Sequence, residues 1–242
     1  MGIRLNCDMG EGFGIWSMGD DEAIMPLIDM ANLACGFHAS DPANMYKSVS
    51  LAKKHNVSIG AHPSYPDLVG FGRRSMKLGS EELIAILLYQ VSALEGICKA
   101  FDTKISHIKP HGALYNDMMS DLRIFEDVAK SVSLYDSSLP LMILSQADNS
   151  AHKAVADKYN VSLLYEVFAD RNYTQEGHLV PRTNADAVIK DDKKVLERLD
   201  TLKEGFIYSV SNEKLSLPCD SLCVHSDSPN AFTFIQTIRH HL

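Results

Sequence analysis

The chain has 242 residues, 45% of them hydrophobic, with a formal net charge of −8 and a pI near 5.6. This length and composition suit one large globular domain, and the acidic balance without a basic block excludes an ordinary nucleic-acid binder. Uninterrupted apolar runs fall short of the about 20 residues that span a bilayer, and the start, MGIRLNCDMG, lacks a signal-peptide core. With five cysteines, this predicts a cytoplasmic protein with free thiols.

Seven short segments rich in apolar and β-branched residues predict strands. Their nearly continuous apolar character is typical of strands buried on both faces, as in a parallel sheet. In chain order they are IRLNC, ANLAC, VSIGA, ISHIK, LMILS, VSLLYEVF and SLCVH, beginning at residues 3, 31, 57, 105, 141, 161 and 221.

Helical patterns lie between these strands. One begins at Asp41, a predicted N-cap followed by Pro42, and another at Ser80, also predicted as an N-cap. Four more are DLRIFEDVAKSVSLY, ADNSAHKAVADKYN, NADAVIKDDKKVLERLDTLKEG and SPNAFTFIQTIRHHL. Strand and helix alternate throughout, which predicts an α/β fold. Seven strands favour a single β/α-barrel domain over residues 1–242.

Ionisable residues, glycines and prolines follow nearly every predicted strand. In parallel α/β folds the carboxyl ends of the strands share one face, where active sites form. We therefore expect a functional site at this face. The catalytic candidates are Asp8, Glu11, His38, His62, Lys109 and His111, and the substrate-binding candidates are Arg73, Arg74, Tyr115, Asn116, Glu166, Arg171 and His225.

Three of these histidines follow their own strands by similar offsets. His38, His62 and His111, together with Asp8, have the nitrogen and oxygen ligands of a divalent-metal site. The same four residues would also serve as a metal-free acid–base network, because histidine titrates near neutrality. No H-E-x-x-H pattern decides between the two hypotheses, and both stay open.

The stretch KPHGALYN, residues 109–116, follows the fourth strand. If the strand geometry continues, Lys109 and His111 point to the same side of the sheet. We expect Lys109 to stabilise negative charge and His111 to transfer a proton or bind a ligand. The alternative for Lys109 is a structural salt bridge to a carboxylate such as Asp8. Gly112 would let the chain turn away.

Nucleotide-binding motifs are weak or missing. Gly10, Gly12 and Gly14 resemble part of a dinucleotide loop, but Ile15 stands where its last glycine belongs. No G-x-x-x-x-G-K pattern occurs in the sequence. The chain itself therefore provides no recognisable cradle for ATP.

Seven ordered motifs carry a family resemblance: LNCDMGEGFG, NLACGFHASDP, GAHPSYPDLVGFGRR, HIKPHGALYN, EVFADRNY, LVPR and CVHSDSP. Together they resemble the LamB/YcsF family from Leu5 to about Pro229. The family often has glycine where this chain has Ser40 and Ser226. We expect serine to be tolerated there, provided that the backbone avoids positive φ.

The resemblance implies a distorted seven-stranded β/α barrel of the glycoside hydrolase/deacetylase type. It also implies the role of the A subunit in bacterial 5-oxoprolinase, the ATP-dependent opening of 5-oxo-L-proline to L-glutamate with subunits B and C. Since the sequence lacks an ATP cradle, we expect the partner subunits to handle most of the ATP binding and the isolated chain to be nearly inactive. A divalent metal and a homo-oligomer stay open.

Two alternatives remain beside this function. One is a stand-alone metal-dependent deacetylase or amidohydrolase acting on a carbohydrate or related amide. The other is a non-catalytic subunit that holds a small acid for its partners. ATP-independent turnover would favour the first, and full activity of the complex after loss of every candidate base would favour the second.

Overall fold

A closed barrel of parallel strands forms the centre of the computed structural model, which describes residues 3–181, 184–189, 191–225 and 231–242. The nine strands are β1 (Arg4–Met9), β2 (Met30–Ala34), β3 (Ser58–His62), β4 (Ile105–Ile108), β5 (Leu141–Leu144), β6 (Leu163–Phe168), β7 (Phe206–Tyr208), β8 (Lys214–Ser216) and β9 (Ser221–Val224). The barrel order is β1-β2-β3-β4-β5-β6-β9, so the seven-stranded prediction is confirmed.

The barrel is closed by β9 and is irregular on the opposite side. Ser221 pairs with Glu166 of β6 and with Arg4 of β1, which joins the two ends of the chain in one sheet. Between β4 and β5 the register contains a single pair, Ile108 with Leu141. A register shift also separates Ile59 from Gly60 in the β3–β4 pairing. These irregularities account for the expected distortion.

Eight α-helices are described around the barrel. They are α1 (Asp21–Ile24), α2 (Pro42–His55), α3 (Ser80–Ala100), α4 (Gly112–Ser120), α5 (Leu122–Asp136), α6 (Ser150–Lys158), α7 (Asp192–Lys203) and α8 (Ala231–His241), with a 3-10 turn at Met25–Leu27. Asp41 caps α2 as predicted, since its carboxylate accepts hydrogen bonds from the N–H groups of Ala43 and Asn44. Ser80 was wrongly predicted as a cap: it is the first residue of α3, and Gly79 holds the cap position.

Several elements differ from the predictions, among them helix α1 and the 3-10 turn after it, which were not predicted. Residues 112–120 form α4, although the sequence indicated only a turn after Gly112. The long pattern at 184–205 gives a helix only from Asp192. The hairpin β7–β8 was not predicted, because three-residue strands are too short to show a period.

Helix α3 is long and apolar enough to cross a membrane, by length and composition alone. Its apolar side packs against the barrel and α5, with Leu83, Leu87, Val91 and Leu94 buried. Core helices pass the same test, and this packing accounts for the apolar composition.

Apolar residues fill two separate spaces. The larger core lies between the barrel and its helices. A small cluster of Met30, Met142 and Leu164 closes one end of the barrel interior. Met30 and Leu164 precede the polar residues Asn32 and Glu166 of their strands, so the amino-terminal end of the barrel is plugged and the carboxyl-terminal end is left for polar groups.

Ser40 contradicts one expectation. Its φ is +72°, in the left-handed region that favours glycine. The Ser40 N–H donates to the Gly12 carbonyl over 2.8 Å, which holds the backbone in this conformation. Ser226 lies outside the described residues.

Candidate active site

A cavity of about 740 Å³ opens at the carboxyl-terminal end of the barrel, as expected for a parallel barrel. Its walls come from the loops after most of the strands. The predicted residues that line it are Asp8, Glu11, His62, Arg73, Lys109, His111, Tyr115, Asn116, Arg171 and His225.

A buried lysine joins two carboxylates at the base of this cavity. Lys109 Nζ lies 2.9 Å from Asp8 Oδ1, 2.8 Å from Glu166 Oε1 and 3.3 Å from Asn6 Oδ1. An ammonium group has three protons, and Lys109 donates hydrogen bonds to Asp8 Oδ1, Asn6 Oδ1 and, over 3.4 Å, Cys223 Sγ, while Glu166 forms an ion pair with it. The salt bridge considered as the structural alternative for Lys109 is therefore present, and with a second carboxylate besides Asp8.

The charges of this site hold one another ionised. Burial disfavours the ammonium form of Lys109, but Asp8, Cys223 and Glu166 together hold its pKa well above the usual value. Burial also opposes ionisation of Asp8, yet His62 and Lys109 keep the pKa of this carboxyl well below its usual value. Asp8 is thus a carboxylate at neutral pH and lines the cavity.

Below Lys109 the barrel interior contains a neutral hydrogen-bond network, named here the floor network: Asn6, Asn32, His107 and Ser221. The Asn32 amide donates to Asn6 Oδ1 and to Asp8 Oδ1, both over 2.8 Å, and Asn32 Oδ1 lies 2.7 Å from His107 Nε2. Asn6 donates in turn to Ser221 Oγ over 2.7 Å. The network fixes the orientation of the Asp8 carboxylate from below.

His107 is neutral in this network. Burial and then Lys109 lower its pKa to about 3. Its ring fits only because residue 60 is glycine: a Cβ there would lie 2.1 Å from His107 Nε2.

Four residues form a second cluster at one side of the mouth, named here the histidine cluster: Glu11, His38, His62 and His111. One ligand atom from each lies within 4.8 Å of all the others. His38 and His111 are stacked, with ring centroids 3.7 Å apart. Asp8, which the sequence placed with the three histidines, lies beside the cluster, with Oδ2 3.4 Å from His62 Nε2.

Burial controls the charge of the cluster. It lowers the pKa of His38 well below the usual value, and burial with His38 and His62 lowers that of His111 to about 2. Burial and the neighbouring Asp8 raise the pKa of Glu11. The residues have the nitrogen and oxygen donors that fit a divalent metal ion.

The far wall of the cavity comes from β6, α4 and β9. Tyr115 donates to Glu166 Oε2 over 2.8 Å, and Glu166, predicted to bind substrate, is fully buried and is not among the residues that line the cavity. His225 Nδ1 lies 2.9 Å from Asp170 Oδ2. Burial opposes ionisation of Asp170, but His225 lowers its pKa. The Arg171 guanidinium donates to the carbonyls of Val180 and Ala187 and so secures the loop after β6.

Not every predicted residue reaches the cavity wall. The Arg74 guanidinium pairs with Asp67 and is mostly exposed, and Arg74 is not among the lining residues. His38 lies behind His111, fully enclosed. His152 lies outside the site and is buried against Phe125, with ring centroids 4.8 Å apart. The LVPR motif is described only to Pro181.

Sequence reasoning missed several residues of the site. Phe168 and His178 line the cavity, and Lys109 Nζ lies 5.6 Å from the Phe168 ring centroid. Asn6 and Asn32 belong to the floor network. An asparagine within an otherwise apolar strand was the available signal, because a buried amide needs partners inside the barrel.

Comparison with known proteins identifies the family. The LamB/YcsF family model matches residues 3–242. The chain belongs to the LamB/YcsF family. It is 50% identical over 238 residues to a Vibrio cholerae protein named as the A subunit of 5-oxoprolinase, covering 98% of this chain and 96% of that protein. A Pseudomonas aeruginosa protein, named as a 5-oxoprolinase A subunit with the number 3, is 48% identical over 238 residues, covering 98% and 95%.

Solved structures show the same fold for this LamB/YcsF chain. The lactam utilization protein of Thermus thermophilus superposes with a TM-score of 0.93 at 38% identity, covering 100% of this chain and 96% of that one. A putative cellobiose-phosphate cleavage protein of Enterococcus faecalis, with a TM-score of 0.52 and 16% identity, covers 97% and 84% and shares the fold alone.

Proposed function

We propose that this chain is the A subunit of 5-oxoprolinase and opens the lactam ring of 5-oxo-L-proline to L-glutamate, coupled to ATP hydrolysis by a complex with subunits B and C. The relatives that carry the name of this 5-oxoprolinase subunit support the proposal over nearly the whole chain. The observation that carries the proposal is the ionised Asp8, held by Lys109 at the base of an open cavity.

The chemistry of a lactam requires both a base and electrophilic activation. A five-membered lactam is a stable amide, and phosphorylation of its oxygen by ATP makes the ring carbon electrophilic. Asp8 then serves as the general base that removes a proton from the attacking water. Lys109, with His62, keeps Asp8 ionised and adds positive charge near the phosphate oxygens of the tetrahedral intermediate.

Two further residues on the wall complete this assignment. Arg73 lines the cavity and supplies the planar fork that suits the substrate carboxylate. His225, held by Asp170, supplies the proton that the ring nitrogen takes as the C–N bond breaks, and a second water then hydrolyses the resulting acyl phosphate to L-glutamate and inorganic phosphate. The cavity volume exceeds what one lactam needs, which leaves room for the transferred phosphate.

The partner subunits are assigned the ATP site, because the sequence lacks a phosphate-binding loop.

An exposed apolar turn supports docking of a partner subunit at the mouth of the cavity. Phe13 and Trp16 form two backbone hydrogen bonds of 2.8 and 3.0 Å in the loop after β1, and Ile15 and Trp16 are 92% and 70% exposed. Such large apolar side chains at a turn tip mark an interaction surface. The cytoplasmic location fits the five free cysteines.

The test is reconstitution of the three subunits, with glutamate formation from 5-oxoproline followed with and without ATP. We expect turnover only with all three subunits and ATP. Asp8→Asn should lower the turnover by about 100-fold or more while the complex still assembles. Robust turnover by the isolated chain with ATP would contradict the division of labour. Full activity of the Asp8→Asn complex would favour the non-catalytic, substrate-holding alternative.

A matched pair of surface variants tests the docking turn. Trp16→Ser should weaken assembly measured by size-exclusion chromatography, since a large apolar contact is lost. Leu134→Ser on α5 removes a side chain that is 61% exposed on the outer helical layer, and it should leave assembly unchanged. Equal effects of the two variants would remove the turn from the proposed interface.

A second function is favoured by the histidine cluster: hydrolysis of an amide by a metal-dependent enzyme acting alone. Its nitrogen and carboxylate donors fit that chemistry. The same reconstitution separates the two functions, because the stand-alone enzyme would turn over without ATP or partner subunits.

A further inference from the structure

The tautomer of His62 is fixed by the backbone. His62 Nδ1 lies 2.6 Å from the carbonyl oxygen of Lys109. A carbonyl oxygen only accepts hydrogen bonds, so Nδ1 carries the hydrogen. In the neutral ring Nε2 then has a bare electron pair, and this nitrogen faces the histidine cluster.

The tautomer of His111 is also fixed by a backbone carbonyl, but with the hydrogen on the other ring nitrogen. His111 Nε2 lies 2.9 Å from the carbonyl oxygen of Phe71, so Nε2 carries the hydrogen and Nδ1 is bare. The two bare nitrogens, His62 Nε2 and His111 Nδ1, are 3.0 Å apart. Two electron pairs at this distance repel each other unless a cation lies between or beside them.

More acceptors surround the same point. Glu11 Oε1 lies 3.4 Å from His111 Nδ1 and 3.3 Å from His38 Nε2. Asp8 Oδ2 lies 3.4 Å from His62 Nε2. One proton bridges a single pair of atoms, whereas one metal ion accepts electron pairs from several such atoms at once.

We propose that Glu11, His38, His62 and His111 bind a divalent transition-metal ion of the zinc class, through Oε1, Nε2, Nε2 and Nδ1 respectively. Ligand atoms about 2.1 Å from a metal are separated by about 3.0 Å at right angles and about 3.4 Å in a tetrahedron. The ligand contacts of 3.0, 3.3 and 3.4 Å match these edges. Three imidazoles disfavour magnesium and calcium, which take oxygen ligands.

The backbone around the cluster is built to hold it closed. Gly72 has a φ of +63°, and a Cβ there would lie 2.7 Å from His111 Cδ2 and 2.8 Å from His38 Cβ. Only glycine therefore lets this loop cover the two stacked rings. The Phe71 carbonyl that orients His111 belongs to the same loop. Such outer contacts fix ligand orientation in metal sites.

The experiment is titration of the chelator-treated full-length chain with Zn²⁺ by calorimetry, with Co²⁺ absorption as a second readout. We expect roughly one equivalent bound with a Kd below about 1 µM, and a melting temperature that rises with added Zn²⁺. His111→Gln and His38→Gln should each weaken binding by about 100-fold or more. The control His241→Gln removes a half-buried histidine beside Asp200, outside the cluster, and should bind like the unmodified chain.

Three outcomes would overturn the metal site. The first is a folded, unmodified chain that binds neither Zn²⁺ nor Co²⁺. The second is that both cluster variants bind the metal as tightly as the control variant does. Alternatively, nitrogen NMR of the metal-free chain at neutral pH would show His62 or His111 doubly protonated, with no displacement of that proton by Zn²⁺. If a variant misfolds, the rise in melting temperature of the unmodified chain with added Zn²⁺ still tests the site. The metal site does not depend on the substrate, so these readouts stand whether or not 5-oxoproline is turned over.

Discussion

The floor network and the histidine cluster are both buried, polar and built around imidazole rings, yet they differ in how donors and acceptors meet. In the floor network each contact joins a donor to an acceptor, as where Asn32 Oδ1 accepts from His107 Nε2. In the histidine cluster, acceptors face acceptors across 3.0 Å. A complementary network stabilises a fold by itself, whereas a set of converging acceptors requires a ligand.

Lys109 lies at the boundary of the two regions, and its loss should have the largest effect. Lys109→Met leaves Asp8 and Glu166 buried without their cation, so we expect a loss of about 3–5 kcal/mol in the free energy of unfolding, measured with denaturant. Lys109→Met combined with Glu166→Gln removes one of the stranded charges and should recover about 1–2 kcal/mol. A Lys109→Met chain of unchanged stability would contradict the structural role that its contacts indicate.

Breaking the floor network from within should cost somewhat less. Asn32→Leu keeps the volume but removes both amide donors and the acceptor, so Asp8, Asn6 and His107 each lose a partner. We expect a loss of about 3 kcal/mol in unfolding free energy. If Asn32→Leu were neutral, water or a rearranged side chain would satisfy those groups and the network would not be structural.

The same substitution in both regions sharpens the comparison. In metal-free protein, His107→Gln should lower the unfolding free energy by about 1–3 kcal/mol, because a matched hydrogen bond and a packed ring are lost. His111→Gln loses the hydrogen bond to the Phe71 carbonyl but also removes the facing electron pairs of His62 and His111, so we expect a loss below about 1 kcal/mol. Thermal unfolding in the presence of chelator measures both. Equal losses would mean that the cluster is as complementary as the floor.

Ser40 provides the smallest expected effect, at the edge of the mouth. Ser40→Gly removes the backbone strain of a serine at positive φ but raises the conformational entropy of the unfolded chain. We therefore expect a net gain of about 0.5 kcal/mol in the free energy of unfolding, or about 1–2 °C in melting temperature. The φ of +72° is the reason. A decrease in melting temperature would show that the Gly12 carbonyl contact holds this backbone without strain.

The strands of the barrel were predictable because burial on both faces leaves a local signal. IRLNC, SLCVH and the five segments between them appear in the barrel close to their predicted bounds. The hairpin at Phe206–Ser216 and helix α4 lacked such a signal, since short or partly buried elements have no clear period. The serine at position 40 gave no warning of its positive φ, which a hydrogen bond to the distant Gly12 maintains.

Within the site, the sequence identified positions but not partners. Lys109 and His111 both reach the cavity, as their spacing predicted, while Arg74 turns to Asp67 on the outer surface. The sequence grouped Asp8 with the histidines, but the structure gives that place to Glu11, three residues further along the loop. The conformation of the loop after β1 determines whether Asp8 or Glu11 lies next to the three histidines, and no residue pattern in the sequence predicts that conformation.

By itself, the sequence determined the strand count, the alternation with helices and the presence of His38, His62, Lys109 and His111 after strand ends, because these follow from local hydrophobic pattern and chain order. Only the tertiary structure decided that Lys109 lies between Asp8 and Glu166, residues 101 and 57 positions away. It also decided that carbonyls of Lys109 and Phe71 orient two imidazoles toward each other. Those contacts depend on barrel closure and register, which bring atoms distant in sequence within hydrogen-bond range.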